Sequence, residues 1–399
     1  MALIDLEIGL SDEEQAIRDT VHKFADEVLR PAGRQLDALA DPADVIAPES
    51  VLWDVFKKHR ELGIGQLGEP AGDLTLEQQA RLRSVISEEM GWGDAGLAIS
   101  LGVNGFPRML AQVSGKPELI ERFGADHVIG CWAGTEPDHG SDGIIFSHML
   151  GTPEYGRPNC IARKDGDSYV INGQKAAWVS NGTIATAAAL FCTIDQGDGP
   201  KESGGFCVPL DVPEVKKGKP LDKIGQRSLN QGEIFFEELR VPASYLVVTP
   251  EMSRGGGDVT LANANAGMGS LFVGLARAAL ELAVGYAKER VQGGVPIIQH
   301  QSVKLRVFEM FRKVEAARAL NRRVIAYNMV KGPQLHLSVA SKVTSTQTAF
   351  EVASSALQVF GGNGLTREYP IEKLVRDARA SMIEDGCNDV LSLVAAERL

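Results

Sequence analysis

Gln358-Val-Phe-Gly-Gly-Asn-Gly-Leu365, then Glu368-Tyr-Pro-Ile-Glu-Lys-Leu-Val-Arg-Asp-Ala378 and Ile383-Glu-Asp-Gly386, is the stretch that decides how this 399-residue chain is read. It is an amphipathic helix running into a glycine-rich turn, then a second short helix, then two carboxylates facing a glycine. Glycines let a backbone approach a ligand closely, and a carboxylate held beside such a turn is suited to act as a general base. Glycine turns alone are common. The information lies in their combination with the acid pair.

Upstream of this stretch lie three long apolar stripes at helical spacing. Met268, Leu271, Leu275, Leu282 and Tyr286 form the first. Val303, Val307, Met310, Phe311, Val314, Ala317, Leu320 and Val324 form the second, and Ala340, Val343, Phe350, Ala353 and Leu357 the third. Such stripes with short connectors predict a packed helix bundle, beginning near Ala264. The middle third changes period. Residues 159–163 and 168–172 read as strands across Asp165-Gly166, a hairpin signal, and 204–210 and 232–241 are also strand-like. The first third is helical. Ser11-Asp-Glu-Glu14 has capping-box form, Ile17, Val21, Phe24 and Val28 follow at helical spacing, and Pro31 is expected to stop the run. Stretches 76–89 and 97–113 flank Met90-Gly-Trp-Gly-Asp-Ala-Gly96, a glycine-rich break.

Length and composition allow two or three domains with ordinary cores. The formal charge of −11 argues against non-specific nucleic-acid binding, which needs a basic surface. Five scattered cysteines with no C-x-x-C spacing read as reduced thiols, without a zinc site or a disulfide framework. The N-terminal Met1-Ala-Leu-Ile-Asp-Leu-Glu shows no signal peptide, and no uninterrupted apolar run reaches the length of a membrane span. These features set a cytoplasmic location as the expectation.

The C-terminal signature resembles that of the flavin-dependent acyl-CoA dehydrogenase family, and the order helices, β domain, helices extends the resemblance over essentially the whole chain. The resemblance implies an α+β multidomain fold: an N-terminal helical domain over 1–129, a middle β-barrel or sandwich over 130–246, and a C-terminal four-helix bundle over 247–399. It implies FAD as cofactor, an acyl-CoA substrate, electron-transferring flavoprotein as acceptor, and a homotetramer built as a dimer of dimers.

Further motifs carry the same resemblance. Trp132-Ala-Gly-Thr-Glu-Pro-Asp-His-Gly-Ser-Asp142 is similar to the family's T-E-P-x-A-G-S-D segment. By that resemblance Trp132, Ala133 and Thr135 contact the flavin, and Ser141 lies near flavin and thioester. His139, in place of the usual alanine, reads as a packing or solvent-facing residue. Lys175-Ala-Ala-Trp178-Val-Ser-Asn-Gly182 resembles K-x-W-I-T-N-G with one extra residue before the tryptophan. It implies that Trp178 shields one face of the isoalloxazine and Ser180 bonds near flavin N5. Lys223-Ile-Gly-Gln-Arg227 and the following strand are expected to be structural only.

Tyr286-Ala-Lys-Glu-Arg290-Val-Gln-Gly-Gly294 and His300-Gln301 resemble Y-A-x-x-R-x-x-F-G…H-Q, with Gly293 where an aromatic residue is usual. This implies that Arg290 pairs with the pyrophosphate of a neighbouring subunit's FAD. Gln292, Gln301, Gln358, Gly361 and Gly362 belong to the same cofactor site, and Cys387 is a further cofactor contact.

The family base is usually glutamate; here the position is Asp385, with Gly386 beside it at the substrate. The family reaction removes an α proton of the thioester as the β hydrogen leaves as hydride to flavin N5. Glu384, at a position usually aromatic, is the alternative base. Asn263 and Asn265 are expected to line a pocket shaped away from long straight chains, Asn265 replacing a common arginine. Three classes stay open: a dehydrogenase of short, branched or cyclic acyl-CoA; a flavin oxidase resembling nitroalkane oxidase, which uses an aspartate base; and a non-catalytic subunit of a hetero-oligomeric dehydrogenase.

Overall fold

A computed structural model describes residues 9–66, 74–148, 155–197 and 201–399; the leader reading at the N-terminus falls outside them. The N-terminal segment opens with α1 (Asp12–Phe24), whose Ser11 and Glu14 form the expected capping box. Pro31 does not stop the run. A π-helical turn over Ala25–Leu29 carries the chain into α2 (Arg30–Asp37) without leaving helical backbone, and Pro31 lies just past that wider turn. Then follow α3 (Val51–Glu61), α4 (Leu76–Gly93), α5 (Ala95–Val103), α6 (Phe106–Ser114) and α7 (Pro117–Phe123).

The middle segment comprises β1 (Gly130–Ala133), α8 (Ser141–His148), β2 (Ile161–Asp165), β3 (Ser168–Ser180), β4 (Ala187–Asp195), β5 (Glu202–Pro209), β6 (Val215–Lys217), β7 (Gln231–Pro242) and β8 (Leu246–Val248). These strands form one eight-stranded sheet in the order β6-β7-β3-β2-β4-β5-β8, with β1 parallel to β4. The β2–β3 hairpin turns at Gly166, φ +59°, as the Asp-Gly signal requires. Sequence periodicity passes over β4 because nearly every residue in it is buried, so it shows no alternation.

The C-terminal segment contains α9 (Pro250–Glu289), a hairpin of β9 (Val291–Gln292) and β10 (Val295–Pro296), α10 (Gln301–Lys331), α11 (Leu335–Phe360), α12 (Ile371–Ser381) and α13 (Asn388–Ala396). Helix resumes at Pro250, not near Ala264, because glycines at 255–257 hide the early turns from a propensity reading. Its stretch Gly256–Glu289 is long and apolar enough to cross a membrane by composition, but most of that surface is buried in the bundle.

One hydrophobic core joins Phe24, Leu29 and Leu52 of the N-terminal helices to Phe272, Leu275 and Val352 of the bundle; the sheet has a separate core around Phe206 and Ile171. The glycines of 90–96 serve this joint core. A Cβ on Gly91 would stand 1.9 Å from the Leu271 carbonyl, and one on Gly274 would stand 2.0 Å from that of Glu88. They let α4 and α9 cross at backbone contact, and the expected break falls at Asp94, whose extended backbone separates α4 from α5. Beside the crossing, Arg277 and Arg318 neutralise buried Glu88.

Candidate active site

The loop between α12 and α13 presents the two acids. Asp385 has φ +50° and Gly386 φ +93°, so two successive residues lie in the left-handed region. Asp is among the few side chains that tolerate this conformation, which gives the aspartate a conformational reason besides any catalytic one. A Cβ on Gly386 would come within 2.9 Å of Ile144 and Leu391, so glycine is required there by space as well. The Asp385 N–H donates to no protein group among the described residues.

Three elements hold this loop. From α9, Asn265 Nδ2 donates to the Leu261 carbonyl at 2.9 Å and to the Asp385 carbonyl at 3.4 Å, while its buried Oδ1 has no partner. From α11, the fully buried Lys342 Nζ donates to Gly386 O and Asn388 Oδ1, each at 2.9 Å. From α8, the Ser141 hydroxyl accepts the N–H of Cys387, which caps α13, at 3.2 Å. The α8 bond joins the middle segment to the base loop.

Asp385 is exposed in the isolated chain, and desolvation raises its carboxyl against the pull of Lys342. Glu384 is half-buried and pushed up to about 7, chiefly by desolvation. Its Oε2 accepts from Gln226 Nε2 at 2.9 Å, and Lys223 adds a favourable charge. The 223–227 stretch is therefore part of the site's wall, contrary to the purely structural expectation. Gln226 is held at φ +49° with its N–H 2.5 Å from Asp377 Oδ1, and Asp377 pairs with Lys373, which also meets Asp94. Lys373 and Asp377 lie one turn apart in α12, but no sequence motif marks their links to Asp94 and Gln226, which are far away along the chain.

In the sheet, the extra residue before Trp178 has a structural counterpart. Lys175 pairs with Ile234 and Val179 with Gly232, so β3 runs four positions where β7 runs two. The resulting bulge turns Trp178 outward, 59% exposed, and lets the Ala176 N–H reach the Thr135 carbonyl at 2.9 Å. Below it, Lys175 Nζ meets Glu136 at 2.6 Å and the Gly134 carbonyl at 3.1 Å, both ionised side chains being essentially inaccessible. This pair was not singled out from sequence, although both residues lie inside quoted motifs. Ser180 Oγ accepts from Gln231, whose own oxygen accepts from Lys223. Trp132 packs its ring against Phe106 and Phe191 at centroid distances of 4.9 and 4.4 Å. His139 bonds Asp142 at 2.9 Å, in keeping with a packing role.

At the end of the bundle, Arg290, Gln292, Gln358, Gly361 and Gly362 line one cleft of about 580 Å³. Gln301 begins α10 and is exposed, but it does not line this cleft. Gly293 and Gly294, at φ +66° and +83°, form a two-residue turn of type I′ character between β9 and β10. That turn accounts for glycine where an aromatic residue is expected. Asn263 requires a correction: two residues from Asn265, it lies on the opposite side of α9 and is exposed, while Asn265 is buried at the base loop.

The structure thus places an exposed tryptophan on a bulged strand of the sheet, and ties the acid-bearing loop of the bundle to the middle segment through Ser141. The chain matches the acyl-CoA dehydrogenase N-terminal, middle and C-terminal domains over residues 11–127, 131–239 and 258–399. It is 30% identical over 397 residues to the mitochondrial short-chain specific acyl-CoA dehydrogenase of Rattus norvegicus, spanning 98% of this chain and 91% of that one. It is also 30% identical to the cyclohex-1-ene-1-carbonyl-CoA dehydrogenase of Geobacter metallireducens, with 98% of each chain covered. Among solved structures, butyryl-CoA dehydrogenase from Megasphaera elsdenii superposes with a TM-score of 0.82 at 25% identity, covering 98% of this chain and 99% of that one. The chain belongs to the acyl-CoA dehydrogenase family, flavoprotein oxidoreductases acting on CH–CH groups.

Proposed function

We propose that this protein is an FAD-dependent dehydrogenase of a short, branched or cyclic acyl-CoA, with Asp385 as the base that takes the α proton. The supporting observation is the meeting of two loops, where Ser141 of the flavin-side segment bonds the backbone of the base loop at Cys387. Trp178, Ser180, Thr135 and the Ala133 backbone would hold the isoalloxazine. Arg290, Gln292, Gln358, Gly361 and Gly362 would hold the pyrophosphate end of a partner's cofactor in a homotetramer, the planar guanidinium suiting phosphate oxygens. Bound there, FAD supplies the hydride acceptor.

This chain's own residues supply the acid–base chemistry. An α C–H is a poor acid, so its base must be desolvated and the thioester oxygen polarised. Asp385 meets the first need, and its free N–H, aimed by the left-handed turn, is a donor for the second. Asn265 is fully buried beneath this loop, so it would shape the acyl site only through the Asp385 backbone that it holds. Palmitoyl-CoA should reduce the flavin poorly compared with short branched or alicyclic acyl-CoAs. The opposite order would remove Asn265 from the acyl site. A cytoplasmic location is part of the proposal, supported by five unpaired cysteines, four of them buried.

The aspartate base favours one second reading, a flavin oxidase. Reoxidation separates the two: the dehydrogenase reading expects slow reaction with oxygen and fast reaction with electron-transferring flavoprotein or a ferrocenium-type acceptor. Rapid stoichiometric peroxide release would establish the oxidase instead.

A further inference from the structure

Lys342 stands in the third turn of α11, among the buried hydroxyls of Ser338, Ser341, Ser345 and Thr346, and it is fully buried. A buried ammonium is costly unless its donors are satisfied, so its position needs a reason. Two of its bonds go to the base loop: Gly386 O, the residue after Asp385, and Asn388 Oδ1, the first residue of α13. Asn388 is tied back to α11, its Nδ2 donating to Thr346 Oγ1 at 3.0 Å. The lysine thus fastens the loop from α11, as Asn265 holds the Asp385 carbonyl from α9.

We propose that Lys342 is a positioning residue for the base, its ammonium fixing the left-handed turn at Asp385-Gly386 and placing a positive charge beside the base loop. The inference rests on the reading of Asp385 as base. The charges around it point the same way. The titratable groups acting on Lys342 are Asp385, Glu384 and Cys387, all from the loop; α9, α10, α12 and α13 add none among the described residues. On Asp385, burial works against the charge, and Lys342 is the cation that works for it. Burial draws Lys342 itself down to about 8, so at neutral pH the ammonium is still charged. A carboxylate that lost this cation would stay protonated to higher pH and could accept no proton from substrate.

The test uses the flavin-loaded protein with K342M and K342Q, the second keeping a hydrogen-bond donor without the charge. Stopped-flow flavin reduction by an acyl-CoA substrate is followed against pH, and ¹³C NMR of labelled aspartate follows the Asp385 carboxyl directly, assigned by its absence in D385N. Both the acid limb and the carboxyl titration should move up by about one pH unit, the scale of an opposite charge nearby. On the acid side of the limb, reduction should then fall by up to about tenfold, with little change on its alkaline side. Folded variants with an unmoved limb and titration would overturn the proposal. Should neither lysine variant fold, N388D decides the matter: its new carboxylate would neutralise the ammonium, and the same upward movement is expected. D385N separates the two readings. If it reduces flavin normally, the base assignment falls and this inference with it; if it is dead while the lysine variants titrate unchanged, only the role of Lys342 falls.

Discussion

The base loop and the hairpin cleft at the end of the bundle contrast in how complete they are. Around Asp385, the loop is bonded from α8, α9 and α11 of the same chain, so its conformation is set before any ligand arrives. Around Arg290, the cleft is open, its arginine is exposed, and among the described residues that side chain makes no ion pair. Buried polar groups must be satisfied within the fold, whereas an exposed cation on a glycine-turned hairpin can wait for a partner. The first region belongs to chemistry that tolerates little misplacement. The second is where the proposed function puts a shared site, to be finished by a neighbouring subunit and its cofactor.

Substitutions at each end can break this contrast. The largest expected effect is at the base. D385N keeps the turn, since asparagine also accepts φ +50°, but removes the basic lone pair. Flavin reduction should fall by about 10²- to 10⁴-fold with acyl-CoA binding retained, as measured by stopped flow and equilibrium titration. Next is D385E, which moves the carboxylate by about 1 Å in a turn that disfavours glutamate. A loss of up to about a hundredfold on the true substrate is expected, and unchanged turnover would show that the loop is less rigid than its bonds imply.

Removing one partner of the buried pair beneath the flavin-side loop should act on stability. K175M leaves Glu136 charged and unpaired in the sheet interior, at a cost of about 3–5 kcal/mol measured by denaturant unfolding. At the open end, R290A should cost about tenfold or more in FAD affinity and loosen the oligomer, with little effect on chain stability. Full flavin retention at low free FAD would remove the cross-subunit role.

The C-terminal signature placed the acid pair, the glycine turn and the helix before them, because those features are local and chemically distinctive. Lys342 was illegible: within an α11 sequence of mixed small and polar residues, one lysine reads as a solvated side chain. Gln226, Lys175 and Glu136 were hidden for a related reason, since each acts through a contact made across the fold. The bulge at Trp178 was half-legible. The extra residue stood in the sequence, but only pairing with β7 shows where it is absorbed. Asn263 misled because two asparagines close in sequence fall on opposite sides of a helix.

The smallest effect expected is that of E384Q on turnover, since Glu384 faces Gln226 and Lys223 instead of the reacting carbon. It sharpens the account through pH. With its carboxyl pushed up from 4.5 to about 7, Glu384 binds a proton in the folded chain that the unfolded chain has released. It therefore withdraws stability as pH rises from about 4.5 to 7 and leaves it low above that. E384Q should lose this slope, so its Tm relative to wild type should be higher at pH 8 than at pH 5.

The most direct measurement of the central claim is an anaerobic titration of the flavin-loaded wild type and D385N with a panel of acyl-CoAs and nitroalkanes, followed by flavin bleaching. The account predicts that short branched or alicyclic acyl-CoAs bleach the wild type stoichiometrically, while D385N binds them and stays yellow. Bleaching of D385N by acyl-CoA, or bleaching of the wild type by nitroalkanes alone, would contradict it.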